Sequence, residues 1–290
     1  LHLSIRRQRQ MCIRDRYGKG LATTDIDIPS FYTASTVADT NVTPYSGGSD
    51  INIFDTNAVI DTSQKVLEKN SLIWADAITV PSKEMYEIFT QKGYQVFHVP
   101  NAIDFSLLPK DEERRYEKQI IYAGRLSKEK GVLDLIEILP ELEKDIHLII
   151  VGSGPEEQKI IDTDNNNENV HFLGYQPKNQ LIKLIRGSDM LIQPSIMEGG
   201  TSSVILESMY CRTPIIATTV GGNKEAVIHM KTAYEVKPNN PDDILKAIDF
   251  LFSNPEISKN LSENAFRISC DYDWKNIGQK YVDIYQSLLS

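Results

Sequence analysis

Short apolar runs alternate with amphipathic segments over the last two thirds of the chain. The runs are rich in Ile and Val, as at 146–152 and 215–218, and the segments between them carry apolar residues at helical spacing, as at 178–186. This alternation is typical of a parallel sheet with helices on both faces. The sequence therefore predicts an α/β fold with one doubly wound domain at 110–271. Its strands are expected at 119–123, 146–152, 170–173, 190–193, 215–218 and 233–236, and its helices include 132–143, 178–186 and 204–210.

Residues 17–109 have a different pattern, with a polar stretch to about residue 57 and fewer apolar runs. They predict only part of a second α/β lobe, and the charged stretch 110–118 is interpreted as a linker between the lobes. The elements expected in this lobe are helices at 63–74 and 83–92 and strands at 77–80 and 95–99. A final amphipathic helix is expected at 274–289.

The first sixteen residues, LHLSIRRQRQMCIRDR, are basic and lack any hydrophobic period. They resemble a translated sequencing adapter joined to a truncated reading frame, and we interpret them as a non-native leader. A basic disordered arm is the alternative.

Composition excludes several classes of function. The formal net charge of -9 argues against a nucleic-acid-binding surface, because such surfaces need clustered Lys and Arg. The three cysteines lack metal-ligand spacing and an even count, which favours a reducing, cytoplasmic setting without a disulfide framework or a zinc site. No apolar run reaches the length of about 18 residues that a transmembrane helix needs.

A basic turn follows the first predicted strand of the large domain. It reads Gly124-Arg125-Leu126-Ser127-Lys128-Glu129-Lys130-Gly131 and precedes a helix. Ligands of open α/β sheets lie at the carboxyl ends of the strands, so Arg125 and Lys130 are expected to face a diphosphate there. The alternative is a solvated basic loop.

A glycine turn with two glutamates follows a later strand. It runs from Pro194 to Ser203 and includes Glu198, Gly199 and Gly200, and the helix after it carries Glu207. Backbone N–H groups of such a turn can approach a phosphate, and the carboxylates can accept hydrogen bonds from sugar hydroxyls. The alternative is a helix capped by Thr201 or Ser202 and followed by ordinary surface glutamates.

Together these segments resemble the family-4 glycosyltransferases, whose GT-B fold has two facing Rossmann-like lobes. The matching segments lie at 99–104, 122–131, 151–155, 172–175, 194–199, 207–209 and 219–225. The resemblance covers residues 77–290 and is weak before them. It implies a Rossmann-like C-terminal donor-binding domain and an incomplete N-terminal acceptor lobe in a chain truncated at its N-terminus. It also implies that a C-terminal segment at 272–290 packs back on the N-terminal lobe.

The resemblance implies an activity as well as a fold. The chain would transfer a hexosyl group from a UDP- or GDP-sugar to a glycan, lipid or small-molecule acceptor. The anomeric configuration would be retained, no metal and no cofactor would be needed, and the leaving diphosphate would act as the base. The setting would be cell-envelope polysaccharide biosynthesis in the cytoplasm, with peripheral membrane association through the missing lobe.

The resemblance also assigns roles to residues. Arg125 and Lys130 would grip the donor diphosphate, and Glu198 would contact the donor sugar near the reacting carbon, so these three are the catalytic candidates. Glu207 would hold the ribose. The other candidates for donor binding line the cleft or border the nucleobase: Gly124, Gly152, Gly174, Tyr175, Gly199, Gly200 and Thr201.

The chain departs from the family pattern in two places. Eight residues separate Glu198 from Glu207, where the family usually has seven, so Glu198 is the less secure of the two. We expect the additional residue in the glycine turn, where unusual backbone angles are tolerated. The first lobe lacks the family's histidine, since no histidine lies between His2 and His98.

Three other signals are interpreted as structural. Asp162-Thr163-Asp164 matches the metal-binding motif of other glycosyltransferases, but we expect it in a polar loop, and no metal site is predicted. The glycine pair at Gly152 and Gly154 lacks the third glycine of a dinucleotide fingerprint. Packing in strands is the expected role of three histidines, His98, His147 and His171.

Two other functions remain open on the sequence. One is a donor-binding module without turnover, either a fragment or a partner subunit. The other is a sugar-nucleotide epimerase of the same architecture, which fold analogy alone does not separate from a transferase. No acid and base pair suited to epimerisation is visible.

Overall fold

The computed structural model describes residues 31–33, as backbone, and residues 75–289. Two compact units make up the chain, with divisions after Val99 and after Gly278; the last residues, from Gln279, group with the first unit. The expected leader at 1–16 and the expected helix at 63–74 lie outside the described residues.

The first unit contains a parallel three-stranded sheet in the order β1-β2-β3. Its elements are β1 (Phe31–Thr33), β2 (Ala77–Val80), α1 (Lys83–Gln91) and β3 (Val96–His98). Ser82 caps the start of helix α1, since its hydroxyl accepts a hydrogen bond from the Met85 backbone N–H. Met85 and Phe89 of α1 pack on Ile78 and Val80 of β2.

The second unit contains a parallel six-stranded sheet in the order β6-β5-β4-β7-β8-β9. Strands β4 and β7 are neighbours, although β5 and β6 lie between them in the chain. The chain therefore reverses its direction of winding between β4 and β7, which is the topological switch point of the sheet. The strands are β4 (Lys118–Ala123), β5 (Ile146–Val151), β6 (Val170–Phe172), β7 (Met190–Gln193), β8 (Ile215–Thr218) and β9 (Tyr234–Val236).

Both faces of this sheet are buried, as the apolar runs predict. Alternate residues of β4 point to opposite faces, so that Ile121 and Ala123 join one core cluster while Ile120 and Tyr122 join the other. Helices cover both clusters. They are α2 (Val132–Glu137), α3 (Glu157–Asp164), α4 (Lys178–Arg186), α5 (Ser203–Cys211), α6 (Pro241–Ser253) and α7 (Pro255–Ser269), and α8 (Trp274–Leu289) follows them.

The expected elements agree with the structure except at some ends. The bounds of β2, β7, β8, α4 and α8 are those predicted, and the other predicted strands differ by one residue at one end or at both. Helix α2 ends six residues before the predicted position 143. Pro140 accounts for the difference, because proline restricts the residue before it and has no N–H for the next helical turn.

The metal-like motif was wrongly expected in a loop. Asp162, Thr163 and Asp164 form the last residues of helix α3. Their polar groups bond within the helix, since Gln158 donates to Asp162 and the Thr163 hydroxyl donates to the Lys159 carbonyl oxygen. Short polar side chains that bond their own helix in this way do not break it.

The charged stretch interpreted as a linker is anchored on the second unit. Asp111 forms an ion pair with Lys183 of α4, and Arg114 pairs with Asp189 just before β7. The Glu113 N–H donates to the Lys183 carbonyl oxygen at 2.9 Å. The stretch therefore runs along the amino end of the sheet as part of this unit.

Candidate functional site

The predicted site residues follow the carboxyl ends of neighbouring strands in the second unit. Arg125 and Lys130 follow β4, and Glu198 follows β7, so the loops on both sides of the switch point carry them. Ligands of doubly wound sheets bind in the crevice that opens there. The topology therefore brings the basic turn and the glutamate turn to one edge of the sheet.

Lys130 and Glu198 form an ion pair at this edge. The Lys130 Nζ donates to the Glu198 Oε1 at 2.8 Å, and the two side chains are only 19% and 6% exposed. The backbones of the two loops also meet, because the Ile196 N–H donates to the Glu129 carbonyl oxygen at 2.8 Å. Gly131, at φ 67°, allows this approach, since a Cβ there would lie 2.0 Å from the Pro194 oxygen.

A chain of buried hydrogen bonds leads from β7 to the same carboxylate. The Gln193 amide nitrogen donates to the Ser195 hydroxyl at 3.1 Å, and this hydroxyl donates to the Glu198 Oε1 at 2.8 Å. The backbone of Glu198 is confined as well, because a Cβ at Gly221, with φ 49°, would lie 1.6 Å from its carbonyl oxygen. The unusual spacing to Glu207 therefore does not separate Glu198 from Lys130.

Glu207 lies on helix α5, where its side chain is 2% exposed. Its partner is Lys178, the first residue of α4, which forms a salt bridge with the Glu207 carboxylate. Burial raises the pKa of Glu207, and the nearby Lys178 opposes this shift. Sequence reasoning missed Lys178, although its position directly after the Gly174-Tyr175 loop places it at the same edge of the sheet.

Three of the predicted glycines lie side by side at the ends of β4, β5 and β6. The Gly152 N–H donates to the Gly174 carbonyl oxygen at 2.9 Å, and the Gly124 N–H donates to the Val151 carbonyl oxygen at 3.0 Å. Beyond them, the Tyr175 side chain is 75% exposed. Three residues without side chains therefore line this part of the sheet edge, and the exposed Tyr175 ring lies next to the last of them.

The loop after β8 holds the glycine turn before α5 in place through hydrogen bonds. Thr201 is buried, and its hydroxyl donates to the Gly222 carbonyl oxygen at 2.8 Å, so this hydroxyl already has a protein partner. In the alternative interpretation of this turn, Thr201 or Ser202 would cap helix α5, but the Ser202 side chain makes no capping bond. Instead, the Asn223 Oδ1 accepts from the Ser202 N–H at 3.0 Å. Sequence reasoning missed Asn223 because it lies 21 residues along the chain.

Gly199 and Gly200 are partly buried between the two glutamates. Gly200 lies against Gly222, where an added Cβ would come within 2.5 Å of the Gly200 Cα. The turn therefore packs on the loop after β8 and leaves no room for larger residues. The loops after β4, β7 and β8 thus support one another around Glu198.

Two of the three histidines pack on strands away from this edge. His147 of β5 and His171 of β6 stack on the ring of Tyr116, with ring centroids 4.0 and 4.3 Å from it. The expected packing role is confirmed for this pair. Burial and the neighbouring His147 lower the pKa of His171. Within residues 75–289, no group of three or more His, Cys, Asp or Glu side chains is arranged to hold a metal ion.

The chain belongs to the GT-B class of folds, as comparison with solved structures shows. Sucrose-phosphate synthase from Thermosynechococcus elongatus superposes with a TM-score of 0.71 at 21% identity, over 89% of this chain and 67% of that chain. Anabaena HepE in complex with UDP and glucose has a TM-score of 0.71 at 18% identity, over 89% of this chain and 72% of that chain. At sequence identities of 21% and 18%, the structural similarity shows the fold alone.

The family follows from the sequence match. The model described as glycosyl transferases group 1 matches residues 106–268, more than half of the chain, and the chain belongs to this family. An uncharacterised glycosyltransferase of Methanocaldococcus jannaschii is 30% identical over 186 residues, which are 62% of this chain and 47% of that protein. The chain thus spans about half the length of such curated relatives. Within residues 75–289, no helix is long and apolar enough to cross a bilayer.

Proposed function

We propose that this chain binds a nucleoside diphosphate sugar and transfers its hexosyl group to a glycan, lipid or small-molecule acceptor. The observation that carries the proposal is the Lys130–Glu198 pair. It lies at the switch point, in the loops that follow the neighbouring strands β4 and β7. A carboxylate held this far out of water needs a partner, and a sugar hydroxyl in the crevice is a second partner of suitable chemistry.

The basic turn after β4 supplies the charge for the leaving group. Arg125 offers a planar fork of donors and Lys130 a point charge, so that together they can neutralise a departing nucleoside diphosphate without a metal. With the diphosphate as base, transfer retains the anomeric configuration. Glu207 holds the ribose in this proposal, after its carboxylate exchanges part of its contact with Lys178 for the diol.

One observation favours a uridine donor over a guanosine donor, and a second supports a nucleotide donor of either kind. The HepE structure contains UDP and glucose, and it shares the fold of this chain. Tyr175 presents an exposed ring beside Gly174, at the end of β6. Aromatic rings of this kind stack on nucleobases.

Calorimetry of the complete chain tests donor binding. We expect saturable binding of UDP and UDP-glucose, with GDP and GDP-mannose as the rival pair. Arg125→Ala removes a charged hydrogen-bond donor, so we expect the affinity for the nucleotide to fall by at least about tenfold. Arg114→Ala is the matched control, because Arg114 pairs with Asp189 at the other end of the sheet. Absence of any nucleotide binding by the wild type would refute the proposal.

Product analysis separates transfer from the rival functions. NMR of the reaction mixture is expected to show a new glycosidic bond with retained configuration, and EDTA is expected not to reduce the rate. An epimerase would leave the diphosphate attached to the sugar. A binding module would form neither a glycosidic bond nor an epimerised sugar.

One observation favours the binding module as the second candidate. The four residues proposed to bind the donor all lie within one unit, at 100–278, so donor binding needs this unit alone. They are Arg125, Lys130, Glu198 and Glu207.

We place the reaction in the cytoplasm, at the inner face of the membrane, in the assembly of cell-envelope polysaccharide. The small number of cysteines supports a reducing compartment. Fractionation of expressing cells, followed by a salt wash of the membranes, tests this setting. Protein that remains on the membranes after the wash would contradict peripheral association.

A further inference from the structure

The carboxylate of Glu198 is held through only one of its two oxygens. Lys130 and Ser195 both donate to Oε1, and none of the described residues donates a hydrogen bond to Oε2. Because both donors bond Oε1, they also fix the direction in which Oε2 points. Oε2 is therefore the atom that Glu198 can offer to a ligand.

Of the two donors, Ser195 is the better fixed. Its side chain is fully buried, and its carbonyl oxygen accepts a hydrogen bond from the Thr218 hydroxyl of β8 at 2.5 Å. Its hydroxyl proton has a defined direction, because the Gln193 amide nitrogen donates to the same hydroxyl. Lys130, in contrast, holds Oε1 by a charge at the end of a long stem with many rotamers.

From this arrangement we propose that Ser195, supported by Gln193, is a positioning residue that orients Glu198 toward the hexosyl group of the donor. The inference rests on the proposed function, since it assumes that Glu198 contacts the sugar. Ser195 itself does not touch the donor. Its loss leaves the ion pair with Lys130 but lets the carboxylate rotate about it.

The effect is expected on the sugar part of the donor alone. The quantity to measure is the dissociation constant of the nucleoside diphosphate divided by that of the nucleotide sugar. The panel compares UDP with UDP-glucose and UDP-N-acetylglucosamine, and GDP with GDP-mannose. We expect Ser195→Ala to reduce this ratio by about tenfold while the affinity for the nucleoside diphosphate stays unchanged. In a Glu198→Gln background, Ser195→Ala is expected to cause little further loss, because both changes remove one interaction.

Ser188→Ala is the matched control. Ser188 is also buried and also accepts from a glutamine, since the Gln119 amide nitrogen donates to its hydroxyl at 2.9 Å. Its own hydroxyl donates to the Leu184 carbonyl oxygen rather than to a carboxylate, at the amino end of the sheet. We expect this variant to leave the ratio unchanged.

A second variant covers the outcome that Ser195→Ala does not fold. Gln193→Met keeps the length of the buried side chain without its amide, so that the Ser195 hydroxyl loses the donor that fixes the direction of its proton. The same loss of the ratio is expected.

Three results overturn the inference while the proposed function stands. They are an unchanged ratio in Ser195→Ala and Gln193→Met, an equal loss of nucleoside diphosphate and nucleotide-sugar affinity, and additive losses with Glu198→Gln. A wild type that binds no nucleotide of the panel refutes the proposed function, and this inference with it.

Discussion

The two ends of the six-stranded sheet hold their charges in different ways. At the amino end, Arg114 pairs with Asp189 and Lys118 with Glu143, with both partners of each pair at least a quarter exposed. At the carboxyl end, Lys130 pairs with Glu198, whose side chain is 6% exposed. Exposed pairs cost little and contribute little, whereas a buried carboxylate has a large desolvation cost.

The difference indicates what each end is for. Hydrophobic residues in place of a buried ion pair are often as stable or more stable, so stability alone does not explain the pairs at the carboxyl end. Burial raises the pKa of Glu207 at the carboxyl end, and ionisable groups perturbed in this way are typical of functional sites. The amino end, by this comparison, holds the segment 110–117 in place, and the carboxyl end is where we propose that the nucleotide sugar binds.

The same substitution at each end tests the comparison most strongly. Lys130→Met leaves Glu198 buried without its cation, and we expect the free energy of unfolding to fall by about 3 to 5 kcal/mol. Lys118→Met removes a lysine that pairs with Glu143 and Asp145 in solvent, so we expect a much smaller loss. Urea denaturation at neutral pH measures both. Equal losses would show that burial does not distinguish the two ends.

Glu207 gives the comparison a pH dependence. Its pKa is raised in the folded protein by burial, so the folded state binds its proton more tightly than the unfolded state. The corresponding stability is complete below the ordinary value of 4.5 and is lost as the pH rises through the raised pKa. We therefore expect the wild type to lose stability relative to Glu207→Gln as the pH rises above 4.5, in denaturation curves at several pH values.

Asp145→Asn is the control for that experiment, with the opposite sign. Hydrogen bonding to Lys118 lowers the pKa of Asp145, so its contribution is present above the ordinary value of 3.8 and is lost as the pH falls through the lowered pKa. Asp145 is exposed at the amino end, and the change is expected to be the smaller of the two. A difference between wild type and Glu207→Gln that stays constant with pH would mean that Lys178 compensates the burial of Glu207 fully.

Local features of the two ends of the sheet could be predicted from the sequence, whereas contacts between residues far apart in the chain could not. The strands at β7 and β8 are buried on both faces and therefore appear as continuous apolar runs, which local patterns reveal. The meeting of Lys130 with Glu198 also follows from the sequence, because both come directly after strands whose carboxyl ends share one edge.

Partners that meet through tertiary packing could not be predicted. Lys178 reaches Glu207 across 29 residues, and Asn223 caps helix α5 from 21 residues away. A lysine at the start of a helix and an asparagine after two glycines have ordinary local explanations, so nothing in their neighbourhood indicates these contacts. The end of α2 is different, since Pro140 is visible in the sequence and by itself predicts that the helix ends before it.

The smallest expected effect concerns the histidines near the amino end. Burial and the adjacent His147 lower the pKa of His171 below its ordinary value of 6.5, so the folded protein binds this proton less tightly than the unfolded chain. The stability from neutral His171 is therefore present above 6.5 and declines as the pH falls through the lowered pKa. His171→Phe keeps a ring on Tyr116 and has no proton to bind, and we expect the wild type to lose stability relative to it on acidification. Parallel stability curves for the two proteins below that pH would contradict the assignment, and would leave the carboxyl end as the source of the pH dependence in this comparison.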